Sequence, residues 1–239
     1  ELINFAHGDV FMWSTLVTLV VVQAMGITGA LTGLSLIGVL LLLIVIGVAV
    51  SAGLNVFIER VAYRPLRRAP RLAPLIAAIG ASFTIQYTIF VVRGANPEPA
   101  VTMFQPIPVF DVFGTIVDSQ QIIIVVAAVI LMVGADQFIR RSRVGRGIRA
   151  VAQDPDTATL MGVNKDRIIV ITFVLGGLLA GAAALFYVMK VPSGVFYTGG
   201  FILGIKAFAA AVLGGIGNVR GALLGGLLLG LIGNYGQIL

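Results

Sequence analysis

Residues 10–58 decide the fold of this chain, and they read VFMWSTLVTLVVVQAMGITGALTGLSLIGVLLLLIVIGVAVSAGLNVFI without a single charged residue. A helix that crosses a bilayer needs about 20 mostly apolar residues, so this stretch is long enough for two such helices. Three glycines near its middle favour a turn there. The stretch therefore predicts two membrane-crossing helices, at residues 10–26 and 35–57.

The composition of the whole chain agrees with a membrane protein. Its 239 residues are 59% hydrophobic and only 11% charged, whereas a soluble domain carries about 25% charged residues. With one histidine and no cysteine, we expect no disulfide, no all-protein zinc site and no cofactor. The net charge of +6 comes from basic clusters between apolar runs, which is typical of loops at a membrane and does not indicate nucleic-acid binding.

Later apolar runs predict further helices, at 72–92, at 119–135 with an extension to 139, at 168–189, at 191–205, at 207–219 and at 221–239. Lys206 separates two short runs. The segment 199–217, which contains Lys206, is a poor full span and is typical of a broken or re-entrant helix, which is tolerated only inside protein or beside a cavity. The prediction is an all-α polytopic membrane protein that forms a single domain over residues 1–239, with about six or seven crossing or re-entrant helices.

The charges of the loops predict the orientation. Loop 59–71 holds five arginines against one glutamate, and loop 140–167 holds seven basic residues against three aspartates. Loop 93–118 holds one arginine against three acidic residues. By the positive-inside rule, the first two loops are cytoplasmic and the third is periplasmic or extracellular.

The outer loop, residues 93–118, is rich in proline, valine, phenylalanine and isoleucine. This composition predicts an ordered, extended cap. The cap is either a docking surface for an external partner or a lid over the helix ends, and the two roles are compatible.

Small residues recur every three or four positions in segments 177–186 and 213–231. In lipid, such faces let helices approach closely. We therefore expect these glycines to serve helix packing.

Loop 140–167 is too long for a simple connection between helices, which usually takes about 2–8 residues. Asp154 followed by Pro155 predicts an N-cap and a first helical residue. A short helix at 157–161 would end at Gly162, and a longer helix would precede it at 143–153.

The predicted helix–turn–helix carries an apolar face of Ala158, Leu160 and Met161. Such a surface suits docking to a soluble subunit, and the alternative is contact with anionic membrane lipid. The caps favour docking.

The only histidine, His7, lies beside Asn4 and Asp9 at the edge of the first apolar stretch. This group is a structural joint, a gate or path lining, or a catalytic or metal site. The joint is favoured: Asp9 would cap the first helix, Gly8 would allow a bend, and Asn4 and His7 would bond the backbone groups that the bend frees.

Polar residues inside the predicted spans are candidates for a translocation path, namely Asn55, Gln86 and Lys206, with Ser82 and Thr84. Asn55 and Gln86 are more often hydrogen bonders between helices. A lysine at membrane depth suggests function, but Lys206 could also extend to an interface or pair with an acidic residue of a partner subunit.

Four blocks, INFAHGD at 3–9, IERVAYRPLRRAPRLAPLIAAIG at 58–80, residues 145–181 and residues 204–230, resemble the permease subunits of branched-chain amino acid ABC transporters of the Liv-H type. The resemblance implies a second related permease, two ABC ATPase subunits and a periplasmic or extracellular substrate-binding protein, in a bacterial or archaeal cytoplasmic membrane. Members of this family carry a further helix at each end, so we expect a chain truncated at both ends and eight or more helices in the full protein.

In that family a cytoplasmic loop couples the permease to its ATPases. The resemblance places coupling at Arg146, Arg149, Asp154, Ala158, Met161 and Gly162. The chain lacks the GxxxxGK[ST] loop that grips nucleotide phosphates, so ATP hydrolysis is expected only in the partners.

The sequence thus predicts an importer of branched-chain or other aliphatic, neutral amino acids. A urea or short-amide importer has a closely similar permease and stays open as the alternative. An ion-coupled secondary transporter is less favoured because the acidic residues lie in loops or at span edges. An intramembrane enzyme would need a nucleophile and a base in reach of each other, for which one histidine is thin support.

Overall fold

A computed structural model describes residues 4–27, 29–67, 69–70, 72–99, 103, 106–112, 115–190 and 194–236. Its helices are α1 His7–Ala24, α2 Gly33–Ile58, α3 Leu72–Arg93, α4 Ser119–Arg141, α5 Arg143–Gln153, α6 Pro155–Leu160, α7 Lys165–Lys190, α8 Gly199–Leu213 and α9 Val219–Tyr235. An antiparallel hairpin, β1 Pro108–Val112 and β2 Thr115–Asp118, precedes α4. The predicted all-α polytopic architecture is confirmed, with four long apolar helices and two shorter ones in the described part of the chain.

Four helical segments are long and apolar enough to cross a membrane, namely Gly33–Tyr63, Leu72–Arg93, Ser119–Arg141 and Lys165–Lys190. The helices α8 and α9 are apolar but shorter. Helices suit this setting because the hydrocarbon core offers no water to backbone N–H and C=O groups, so each segment must satisfy them internally.

Helix α8, Gly199–Leu213, is continuous, and Lys206 lies in its middle, so the runs at 191–205 and 207–219 do not form two separate helices. A re-entrant position of this short helix stays a prediction. Lysine is a good helix former, and its long stem lies along apolar surface, so one charge does not interrupt the helix. Residues 191–193 of the first predicted run, and 237–239 of the last, lie outside the described residues.

Close contact between α2 and α7 forms the centre of the bundle. A Cβ atom on Gly181 would lie 2.5 Å from the Gly47 carbonyl oxygen, and one on Gly177 would lie 2.6 Å from the Cα of Ala52. The Ser14 hydroxyl donates a 2.8 Å hydrogen bond to the same Gly47 carbonyl and so ties α1 to this crossing. The packing role predicted for segment 177–186 is confirmed.

The last two helices pack in the same way. A Cβ atom on Gly225 of α9 would overlap the backbone at Ala210 of α8, which confirms the packing role predicted for segment 213–231. Asp136 near the end of α4 accepts hydrogen bonds from Arg140 at 2.7 Å and from Arg220 at 2.9 Å. This buried carboxylate therefore joins α4 to the start of α9.

Loop 93–118 contains a β-hairpin, which agrees with the predicted extended structure. Its hairpin lies directly before α4, and Glu98 forms a two-way backbone bridge with Val195, at 2.8 Å in each direction. Residues 100–102, 104–105 and 113–114 of this loop lie outside the described residues. The bridge connects the loop to the segment that leads into α8.

The helix α8 begins in the interior of the bundle, beside the first turns of α1. A Cβ atom on Gly200 would lie 2.6 Å from the Gly8 carbonyl oxygen, and the rings of Phe5 and Phe208 lie 5.4 Å apart. The two helices therefore run side by side in opposite directions, and their contact forms one wall of the site.

Candidate functional site

A cavity of about 590 Å³ lies between α1, α7 and α8. This volume falls in the range of small-molecule sites, about 300–1,000 Å³. Its lining residues are Asn4, Phe5, His7, Gly8, Phe11, Leu179, Ala180, Ala183, Tyr187, Leu203, Gly204, Ala207 and Phe208.

The lining is mainly apolar and aromatic. Among the residues that the structure describes, its side-chain hydrogen-bonding groups come from Asn4, His7 and Tyr187, and none of the lining residues is an acid, a lysine or an arginine. Such a cavity suits a small ligand with an apolar part, which a few neutral polar groups would orient.

Asn4, His7 and Asn55, which the sequence proposes as path residues, come together at one end of this cavity. The Asn4 amide donates to the Asn55 side-chain oxygen at 3.3 Å, and His7 also hydrogen bonds the Asn55 side chain. The Tyr63 hydroxyl donates to the Asn4 side-chain oxygen at 3.2 Å. This cluster, Asn4, His7, Asn55 and Tyr63, is called the amide cluster below.

The predicted joint at residues 4–9 is wrong in detail. The first helix begins at His7 with Ala6 as its N-cap, so Asp9 lies inside the first turn and does not cap it. Gly8 does not bend the chain; its missing side chain lets α1 touch the backbone of α8 at Gly200 and Gly204. Asn4 and His7 bond other side chains, as described above, while the backbone N–H groups of His7 and Asp9 donate to the backbone carbonyls of Asn4 and Ala6.

Gln86 belongs to a second buried network behind the cavity wall. Its amide donates to the Ser82 hydroxyl at 3.2 Å, and Ser82 in turn donates to the Asp9 carboxylate. The other Asp9 oxygen lies beside Gly200 in the first turn of α8, where the helix dipole favours a negative charge. Gln86 therefore braces α1 against α3 and does not line the cavity.

Lys206 and Thr84 lie apart from both networks. Lys206 is exposed on α8 and is absent from the cavity lining. Thr84 is exposed, and its hydroxyl donates to the Gly80 carbonyl of its own helix at 2.8 Å. The structure thus separates Lys206 from Asn4, His7 and Asn55.

Sequence reasoning missed Tyr63 and Tyr187. Tyr63 falls in a segment rich in arginine, which the hydropathy pattern assigns to a loop, yet the helix continues through it. Its signal is the run from Ile58 to Arg64, which contains neither glycine nor proline. Tyr187 lies in a long apolar helix, and nothing in the sequence separates it from a packing residue.

The loop between α4 and α7 has the predicted caps. The Asp154 carboxylate accepts backbone N–H bonds from Asp156 at 3.0 Å and Thr157 at 3.2 Å, and Pro155 is the first residue of α6. Gly162 adopts φ +84°, a left-handed conformation that glycine adopts without strain. The short helix covers Pro155–Leu160, so the prediction of 157–161 was two residues late at its start and one at its end.

The predicted apolar face on α6 is wrong. Ala158 is buried against the rest of the loop, whereas Leu160 is 87% exposed and Met161 is 81% exposed. Residues 158 and 160 lie about 200° apart around a helix, so they cannot share a face. Leu160 and Met161 form a two-residue apolar tip, called the apolar tip below.

The two arginines proposed for coupling lie on α5. Arg149 donates to the backbone carbonyl of Ile139 and so holds α5 against the end of α4. Arg146 is exposed. Arg149 therefore shapes the loop, while Arg146 remains available on its surface.

The cap of α6 should respond to pH. Hydrogen bonds from the hydroxyl and N–H of Thr157, and from the N–H of Asp156, hold the pKa of Asp154 below its usual value. A lowered pKa adds stability above the unfolded value of about 3.9, and this stability is lost as the pH falls through the folded value. We expect amide exchange at Asp156 and Thr157 to accelerate below pH about 4 relative to an Asp154→Asn variant, whose cap does not titrate. Equal pH profiles in the two proteins would contradict this role.

Comparisons with known proteins agree with these features. The family model described as "Branched-chain amino acid transport system / permease component" matches residues 1–239. The high-affinity branched-chain amino acid transport system permease protein BraD of Pseudomonas aeruginosa is 40% identical over 240 residues, which cover 98% of this chain and 76% of BraD. LivH of Escherichia coli K12, with the same description, is 37% identical over 96% of this chain and 74% of its own length.

A more distant relative is the fructose import permease protein FrcC of Rhizobium meliloti, which is 33% identical over 45% of this chain and 31% of its own length. No solved structure matches the chain. The apolar helices agree with the location of such permeases, and the chain is a multi-pass protein of the cytoplasmic membrane. A match over its whole length and two relatives at 37–40% identity show that the chain belongs to the family of branched-chain amino acid transport permease components.

Proposed function

We propose that this chain is the permease subunit of an ABC importer that moves branched-chain or other aliphatic, neutral amino acids into the cytoplasm. The observation that carries the proposal is the cavity between α1, α7 and α8, which is mainly apolar and has neutral polar groups at the amide cluster. A permease with this role is not itself an enzyme, and the driving energy comes from ATP hydrolysis in partner subunits.

The cavity matches the chemistry of such a substrate. An aliphatic side chain gains free energy when aromatic and aliphatic walls exclude water from it. The α-ammonium and α-carboxylate groups need hydrogen-bond partners, which Asn4, His7 and Tyr187 can offer at the cavity surface. Neutral side chains bind these charged groups weakly, which suits a substrate that must leave the cavity again.

The proposed assembly contains a second related permease, two ABC ATPase subunits and an external substrate-binding protein, all in a lipid bilayer. Loop 140–167 would face the cytoplasm because of its positive charge. Its apolar tip is solvent-exposed at the end of a capped helix, a form that suits insertion into a groove of an ATPase. Loop 93–118 would face outward, where the binding protein delivers substrate.

Urea import is the alternative with a closely similar permease. Urea has no apolar part, so it would gain little from the phenylalanine and leucine side chains of this lining. The lining therefore favours an aliphatic substrate.

Uptake by the complete complex tests the proposal. Ala183 faces the cavity, so an Ala183→Leu change narrows it and should reduce leucine uptake about tenfold, which corresponds to a loss of about 1.4 kcal/mol in substrate binding. The measurement is uptake of labelled leucine and labelled urea into proteoliposomes that enclose ATP, with the binding protein in the outer solution.

Ala128→Leu is the matched control, because Ala128 is exposed on α4 and is absent from the cavity lining. It should transport leucine as the unchanged protein does. Urea uptake without leucine uptake in the unchanged complex would reject the substrate. Unaltered leucine uptake by Ala183→Leu would show that the path lies elsewhere.

A further inference from the structure

The end of α2 departs from α-helical geometry. Residues Glu59–Tyr63 continue the helix as a π-helical turn, closed by a 2.7 Å hydrogen bond from the Arg64 N–H to the Glu59 carbonyl. Such turns hold one residue more than an α-helical turn and occur frequently at functional sites. Loss of the extra residue would rotate the side chains that follow by about 100°, so a return of this turn to α-helical geometry would reorient them.

One arginine holds the π-turn to α7. The Arg67 guanidinium pairs with Glu59 on one side and with Asp166 on the other. The Glu59 side chain is fully buried, and its second carboxylate oxygen has no partner among the described residues. A buried carboxylate depends strongly on its counter-ion, so the position of Arg67 constrains Glu59.

Asp166 attaches this clamp to loop 140–167. It is the second residue of α7, and its neighbour Lys165 pairs with Asp156 of α6 at 3.2 Å. A displacement of α6 and its apolar tip therefore reaches Arg67 through two consecutive residues.

The other end of the π-turn reaches the cavity. Tyr63 is buried, its ring packs edge-on against Phe173 of α7 at 5.2 Å, and its hydroxyl donates to Asn4 at 3.2 Å. Asn4 lines the cavity. The loop and the cavity thus lie at the two ends of one series of direct contacts.

We propose that the π-turn relays the state of loop 140–167 to the cavity, with Arg67 as the positioning residue and Tyr63 as the group that acts on the amide cluster. This inference rests on the proposed import function and specifies how the cavity is regulated. When loop 140–167 shifts the start of α7, Arg67 moves relative to Glu59, and the π-turn changes its arrangement. Tyr63 then leaves Asn4, and the polar end of the cavity is altered. A change between a π-helical and an α-helical arrangement of this turn would supply the coupling that such a relay requires.

The test uses the complete complex in lipid nanodiscs and proteoliposomes, with Tyr63→Phe, Asp166→Asn and the double variant. Tyr63→Phe removes one hydroxyl, and Asp166 is half exposed, so both variants should assemble. Tyr63→Phe should reduce the leucine transported per ATP hydrolysed by about fivefold, the effect of losing one buried hydrogen bond. Asp166→Asn should reduce this ratio by up to about fivefold, because a partly exposed ion pair contributes at most about 1 kcal/mol. The double variant should lose little more than the stronger single variant, because both changes interrupt one series.

The matched controls are Tyr87→Phe, on the exposed face of α3, and Arg60→Gln, an exposed residue of the same π-turn. Both variants should transport as much leucine per ATP hydrolysed as the unchanged complex does. Unaltered ratios in Tyr63→Phe and Asp166→Asn, or losses that simply multiply in the double variant, would overturn the relay.

Amide hydrogen exchange provides a second readout that does not depend on the substrate. Exchange over residues 59–64 should differ between the nucleotide-free and ATP-bound complexes, and Asp166→Asn should abolish the difference. Equal exchange over residues 59–64 in the nucleotide-free and ATP-bound complexes would overturn the relay, even where leucine uptake is normal. A nucleotide response without leucine uptake would instead reject the proposed substrate and retain the relay.

Discussion

Alanine in place of Gly181 is expected to prevent α2 and α7 from packing in their native arrangement. The added Cβ would lie 2.5 Å from the Gly47 carbonyl oxygen and 2.5 Å from the backbone of Val48, and backbone atoms in the centre of a bundle cannot give way cheaply. Overpacking of this kind costs about 1–3 kcal/mol or more. The midpoint of thermal unfolding in detergent should fall by about 5–10 °C, with a reduced yield of folded protein.

Gly80→Ala is the control for this substitution. Gly80 also lies inside a membrane-crossing helix, α3, but no atom of the described residues lies within 4 Å of the position of its Cβ. Its replacement should leave the unfolding midpoint unchanged or slightly raised, because alanine favours the helix. If both variants unfold at the temperature of the unchanged protein, the close crossing of α2 and α7 does not contribute measurably to the stability of the bundle.

Aspartates in place of both residues of the apolar tip are expected to separate the permease from its ATPases. Leu160 and Met161 are exposed, so the change costs the isolated fold little. In a complex, each side chain would contribute about 1.5–3 kcal/mol on burial, so association should weaken at least about a hundredfold. Co-purification of the ATPases with tagged permease, together with leucine uptake, measures the loss.

Thr159→Asp separates the effect of charge from the loss of apolar surface. Thr159 is exposed on the same short helix, and its replacement adds one negative charge while both apolar side chains remain. It should keep most of the ATPase association. Normal association of the double aspartate variant would show that the ATPases dock elsewhere.

Much of the fold follows from local rules. The span predicted at 72–92 differs from α3, Leu72–Arg93, by one residue, because an uncharged run in a membrane has no stable alternative to a helix. The caps at Asp154 and Gly162 were also predictable, since they depend on a few neighbouring residues. These features need no knowledge of distant contacts.

The site was less predictable because it depends on contacts between residues far apart in the chain. The role of Gly8 was misassigned because a glycine in a sequence indicates either an unusual backbone conformation or a close approach of two backbones. Only the position of the Gly200 backbone shows that Gly8 serves a close approach. Tyr63 was overlooked because its partner, Asn4, lies 59 positions away. Lys206 was proposed for the path because of its charge within an apolar segment, yet it does not line the cavity.

The neutral lining of the cavity affects how fast a bound substrate can leave it. Differences in affinity lie mainly in the dissociation rate. A site that bound a zwitterion through charged side chains would therefore release it slowly. Among the described lining residues the partners are an amide, an imidazole and a phenol. The substrate should therefore remain only briefly, and the duration of a transport cycle should be determined by the slower steps of subunit rearrangement.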